Sequence, residues 1–297
     1  MASSGLSPSR AFHPFVLLAP TVLVLATFFV VPVGLAAYQS LFAWDLLTEP
    51  SFVGLANYRA LMLTGELARV AGRTLAYSAV VVTVASSFGL ALALALNREG
   101  KLVAFVRGAI FSAYVVSWVS VALLWLWLLD GQAGLVSRAL PALGLRPCDW
   151  LGDPSIVLFT LACVTVWKIA GYAMVVFLAG LQDVPRSHYE AAALDGATRL
   201  QTFTRIVWPA LRPTAAFVGT TSLIASFQAF DVVRVMTQGG PVRSSTIFVY
   251  AIYEEVFMNL RVGRASALVV VFFVLLLLLT GVQLKAWRTL AQGRVAT

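Results

Sequence analysis

Few side chains in this sequence are suited to catalysis, and their spacing does not assemble them. The two histidines, His13 and His188, are far apart, and Cys148 and Cys163 lie near neither a CxxC pair nor a histidine cluster. Both cysteines read as packing residues rather than metal ligands. No lysine sits in a G-x-x-x-x-G-K-[ST] loop, so nucleotide cannot be held by the phosphate-cradling route, and neither G-x-S-x-G nor H-E-x-x-H occurs. No enzymatic role is expected, and no cofactor or metal in this chain. The polar groups that remain are those set inside apolar stretches, where each is expensive and is a functional candidate by default. Lys168 is the one charge in such a stretch. It either lines an aqueous path or binds an anion, or else it pairs with a carboxylate or helix carbonyls. Ser222, Ser226 and Gln228, with Asp231 further on, fall loosely on one helical face, close in type to what a polyol needs. Trp167, Tyr172, Phe227 and Phe230 could supply aromatic faces for stacking. Serine is equally common where membrane helices pack closely, so both uses stay open.

What must position these groups is legible in the charges. The chain has 297 residues, 60% of them hydrophobic and 11% charged, against about 25% charged in a soluble domain. A water-soluble enzyme is excluded. Uncharged runs of 34, 24, 22, 20 and 18 residues follow Arg10, Arg73, Arg107, Arg264 and Arg212, and a run of 29 after Asp153 holds only Lys168. Crossing about 30 Å of hydrocarbon takes roughly 20 apolar residues as a helix. The expectation is an all-α integral membrane protein with six transmembrane helices, at about 14–40, 74–97, 106–129, 155–181, 210–232 and 264–286, forming one transmembrane domain over 1–297. The first apolar run is too long for a cleaved signal, and Pro20 and Pro32 should bend it or mark its ends. The net charge of +8 speaks to orientation, not to nucleic acid. With the N-terminus cytoplasmic, the inner segments carry 11 basic and 4 acidic residues and the outer ones 9 of each, so both termini are placed inside.

The inner loop at 182–209 is the most structured connection. Ser187 and Glu190 have capping-box spacing, which predicts a helix over Ala191–Ala193 and Leu194 that stops at Asp195-Gly196. Thr198 and Gln201 repeat the spacing, with Leu200, Phe203 and Val207 on one face of a second helix ending by Trp208-Pro209. Three consecutive alanines let a partner's backbone approach closely, although alanine is also simply the best helix former.

This run, from Tyr189 and Glu190 through Ala191, Ala192, Ala193, Leu194, Asp195, Gly196 and Ala197, then Phe203, Ile206, Pro209 and Pro213, resembles the EAA loop of permease subunits of binding-protein-dependent ABC importers. Trp208 stands where Leu usually precedes the proline. Phe52-Val53-Gly54-Leu55-Ala56-Asn57-Tyr58 is similar to the F-x-G-L-x-N-Y element of the carbohydrate-uptake branch, which includes maltose and glycerol-3-phosphate importers. Phe230-Asp231 and Met236-Thr237-Gln238-Gly239-Gly240-Pro241 are similar to its F-D and L-T-x-G-G-P elements, with Met236 replacing Leu. Physically, Gly239-Gly240-Pro241 is a turn that cannot continue a helix.

The resemblance covers the whole chain. It implies the type I ABC importer permease fold and a coupling helix that docks on an ATPase. It implies a second homologous permease, two ATPase subunits that bind MgATP, and an external substrate-binding protein meeting Asn57, Tyr58, Gly239, Gly240 and Pro241. It places the chain in a bacterial or archaeal cytoplasmic membrane, in contact with lipids, importing a sugar or related polyol by alternating access. A glycerol-3-phosphate or phosphodiester importer is the alternative. A secondary transporter would need an intramembrane carboxylate relay, for which Asp231 is the one candidate. A lipid-acting enzyme would need an interfacial cluster of acids, bases or metal ligands, which the sequence lacks.

Overall fold

The computed structural model describes residues 13–142, 144 and 148–292. They form helices almost throughout, apart from one pair of two-residue strands. The chain divides into two compact units, 1–65 with 252–275, and 66–251 with 276–297.

The first unit opens with α1 (His13–Leu25) and α2 (Val31–Gln39), joined through a π-helical turn at Ala26–Val30. Pro20 lies inside α1, and Pro32 is the second residue of α2, just after the π-helical turn. Strands β1 (Phe42–Ala43) and β2 (Ser51–Phe52) pair antiparallel with Phe42 opposite Phe52, and α3 (Ala56–Leu63) follows. The return segment closes on this hairpin: Val262 N–H donates to Trp44 O at 2.9 Å, and buried Glu255 meets Arg264 at 3.6 Å.

In the second unit come α4 (Glu66–Leu96), α5 (Lys101–Val115), α6 (Trp118–Leu128), α7 (Leu135–Ala142) and α8 (Val157–Gln182). Next are α9 (Arg186–Leu194), α10 (Arg199–Thr202), α11 (Trp208–Phe227), α12 (Phe230–Met236) and α13 (Phe248–Tyr253), whose last two residues fall in the first unit, and α14 (Val262–Gln292) runs through both units. α8 is the central helix, buried along most of its length, with Ala173, Met174, Phe177 and Leu181 packed against Ala93 of α4 and Leu211 and Val218 of α11. Lipid offers no hydrophobic drive between helices, so close approach matters. A Cβ on Gly171 would meet Ile110 O at 2.5 Å, which is why α5 can cross α8 with its backbone nearly in contact.

Among the described residues, four helices are long and apolar enough to cross a membrane, or six if each of two bent pairs is one span. The four lie at Leu18–Gln39, Glu66–Leu96, Val157–Gln182 and Val262–Gln283.

Four local expectations need correction. The third apolar run is not one helix: α5 and α6 meet at 101°, with Val116 and Ser117 extended between them, although no proline or glycine occurs there. Ser187 does not cap α9, because the helix begins at Arg186 behind extended Pro185, two residues earlier than a Ser187 cap requires, which puts Ser187 inside the first turn. Pro209 does not end the second loop helix. A π-helical turn at Phe203–Val207 carries α10 directly into α11, so Pro209 lies inside one continuous helix, just after the π turn. The fifth run also bends, by 41° at Gln228–Ala229.

Candidate functional site

The loop between α8 and α11 is assembled by its own sequence. α9 ends with Gly196 at φ +70°, where Gly196 N–H donates to Ala193 O at 3.2 Å and Ala197 N–H to Ala192 O at 2.9 Å. This is the paired closure that left-handed glycine permits. Thr198 then caps α10: its Oγ1 accepts from Gln201 N–H at 3.3 Å, and Gln201 Oε1 accepts from Thr198 N–H at 2.8 Å. Tyr189 and Ala192 face inward, and Tyr189 packs on the core of Leu181, Val207 and Leu211. That burial pushes the Tyr189 phenol up from its ordinary ionisation range. Glu190, Ala191, Asp195 and Gly196 are exposed, and Leu194 is 90% exposed. Leu200, which shares a helical face with Val207 by its spacing, is 71% exposed. His188, Ala191, Gly196, Arg205 and Pro209 border an open groove of about 790 Å³. Arg98, Glu99, Arg107, Arg186 and Glu190 border a second cavity of about 760 Å³. Arg107 holds its guanidinium on Leu96 O and Arg98 O, closing the end of α4.

Of the residues expected along a solute path, the two serines are turned into the packing. Ser222 and Ser226 are buried, and Ser226 Oγ donates to Ser78 Oγ at 2.9 Å, joining α11 to α4. Gln228 and Asp231 are more open and stand on either side of the bend. The two expected aromatics each meet another ring: Trp167 packs edge-on to Trp125 at 5.5 Å, and Tyr172 stacks on Tyr114 at 4.9 Å. Both contacts flank the α5–α6 break. There Lys168, 1% exposed, donates from Nζ to Ala113 O at 3.2 Å, Tyr114 O at 3.1 Å and Val116 O. Tyr114, Trp118 and Trp125 were not singled out by the sequence, since the break that gathers them carries no local signal.

Of the residues expected to meet a binding protein, Asn57 is largely engaged internally. Its amide donates to Ser40 O at 2.8 Å and Phe42 O at 2.9 Å, and Tyr58 OH donates to Ser40 Oγ at 2.7 Å. Gly239 has φ +79°, and the Gly240–Pro241 bond is cis. Ser245 Oγ donates to Gly240 O at 2.6 Å, fixing the turn, whose next residue, Val242, is 87% exposed.

A bundle of broken and unbroken apolar helices, with one compact helical loop displaying small and acidic residues, defines a membrane transport component. Residues 85–288 match the family of binding-protein-dependent transport system inner membrane components, and the chain belongs to it. It is similar over nearly its whole length to the sn-glycerol-3-phosphate transport system permease protein UgpA of Agrobacterium fabrum (strain C58 / ATCC 33970). That relative is 31% identical over 274 residues, covering 92% of this chain and 93% of the relative. The sulfoquinovosyl glycerol transport system permease protein SmoG of the same organism is 30% identical, covering 92% and 89%. The fold is similar to that of a chain in a bacterial alginate ABC transporter, solved in complex with an alginate pentasaccharide-bound periplasmic protein. The TM-score is 0.77 at 23% identity, over 97% of each chain.

Proposed function

We propose that this chain is one of two permease subunits of an ATP-driven importer, carrying a polyol of the sugar or glycerol-phosphate class across a bacterial or archaeal cytoplasmic membrane by alternating access. The observation that carries the coupling half of this reading is α9. It is held to the bundle by Tyr189 and Ala192 while Glu190, Ala191, Leu194, Asp195 and Gly196 stay exposed. An exposed leucine beside small residues is the face that a partner groove takes up. In this reading the loop 182–209 and both termini are cytoplasmic, six spans form a single transmembrane domain over 1–297, and each bent pair is one span. The second permease is a homologue, two ATPase subunits bind and hydrolyse MgATP, and no cofactor is held here. An external binding protein delivers the solute at the outer turns, where Gly239, Gly240 and Pro241 present Val242, and Asn57 and Tyr58 brace the first outer hairpin.

The solute class is supported by UgpA and SmoG, both named for glycerol-containing solutes. Tyr172 and Trp167 offer rings to the carbon skeleton, and Gln228 and Asp231 offer polar atoms to hydroxyls; Ser222 and Ser226 support the helices behind them. Reconstituted with its partners, the transporter should accumulate sn-glycerol-3-phosphate or a glycosyl glycerol only with ATP. Accumulation driven by an ion gradient without ATP would overturn the reading. Glu190→Lys and Gly196→Asp should leave the chain in the membrane, lower uptake at least fiftyfold and abolish co-purification of the ATPase. Normal uptake in both would refute the coupling role.

A further inference from the structure

Lys168 and the break in the third apolar run are two costs that meet. A cation 1% exposed on an apolar helix is expensive. With Val116 and Ser117 extended, the last carbonyls of α5 lose the amides that a continuing helix would bring. Within hydrocarbon no water replaces them, so a broken span persists only where protein supplies the donors. Lys168 Nζ supplies all three of its hydrogens, to Ala113 O, Tyr114 O and Val116 O. Its ammonium also lies 4.8 Å from the ring centroid of Trp118, the first residue of α6. The charge thus stands at the carbonyl end of α5, where the helix dipole favours a cation, and touches both arms of the bend.

We propose that Lys168 is a positioning residue that holds the third span bent and so places Tyr114 against Tyr172 beside the path, without itself touching the solute. An ammonium with all three hydrogens on backbone carbonyls has none left for a phosphate or a hydroxyl.

The test uses the full chain assembled with its partner subunits in lipid nanodiscs. Leu102→Cys on α5 and Trp127→Cys on α6, both exposed positions, carry spin labels in a Cys148→Ser, Cys163→Ala background, and electron spin resonance reads their separation. The parent should give one distance well short of the roughly 38 Å that an unbroken helix would put between these positions. Lys168→Met should lengthen or broaden that distance and lower the uptake maximum at least tenfold, and Lys168→Arg should restore both. Should the Met variant fail to insert, Lys168→Gln, with two amide hydrogens and no charge, is expected to give an intermediate distance. An unchanged distance in the Met variant, or in Gln where Met does not insert, overturns the proposal, as does lost uptake without a change in distance. Parental uptake despite a shifted distance refutes the link to transport. The distances do not depend on which solute is carried, so their failure is separate from any failure of the import reading.

Discussion

Two interruptions of the apolar helices are built in opposite ways. The loop from α9 to α11 satisfies its backbone locally: Gly196, Ala197, Thr198 and Gln201 find their partners within five residues. The break between α5 and α6 satisfies its carbonyls from a side chain more than 50 positions away, Lys168 on α8. An exposed loop can fall back on water when a cap is missing, whereas a break amid apolar helices needs a donor from the fold. The first device is therefore readable from short spacings, and its loss is mild and confined to the loop. The second exists only once α8 is packed, and disturbing it should spread through the bundle.

The contrast can be broken most severely at the helix crossing. Gly171→Leu would drive a side chain into Ile110 O and Phe111 of α5, at a cost of about 3 kcal/mol. A clear fall in the melting temperature of the purified complex, with lowered membrane yield, is the expected outcome; parental melting would show that α5 moves off at no cost. Arg107→Met is next. It leaves Leu96 O and Arg98 O without the guanidinium that closes α4, at about 1.5–3 kcal/mol for hydrogen bonds from a charged group. Faster amide exchange at 97–100 in hydrogen–deuterium measurements would check it. Thr198→Ala removes one arm of the reciprocal cap and should cost about 1 kcal/mol locally. It should read as faster exchange in α10 with global melting unchanged. Ser187→Ala is the sharpest control. Its capping-box spacing is present in the sequence but no cap forms, so a change below about 0.5 kcal/mol is expected. A loss equal to that of Thr198→Ala would restore the capping reading of that residue.

The pair Ser187–Glu190 and Thr198–Gln201 shows where sequence spacing succeeds and fails. Both have the same interval, yet only the second lies at a true helix start, because Pro185 sets the first start two residues earlier. The turn at Gly239–Pro241 was legible for the reason that made Gly196 legible, since these residues constrain their own backbone. Ser222 and Ser226 were ambiguous because a hydroxyl on an apolar helix serves a solute or a neighbouring helix equally well. Packing decides, and it turns Ser226 toward Ser78 of α4. The partners of Asn57 are likewise set by the fold, where its amide donates to Ser40 O and Phe42 O.

By itself the sequence determined the number and place of the apolar runs, since charge is excluded from hydrocarbon whatever the fold. It also determined the helix stops at Gly196 and the cap at Thr198, because these act within a turn of chain. Only the tertiary structure decided that the third run is broken and that Lys168 is its donor. No residue at Val116–Ser117 requires a bend, and the hydrogen bonds that permit one come from a helix that reaches those carbonyls only when the bundle is packed.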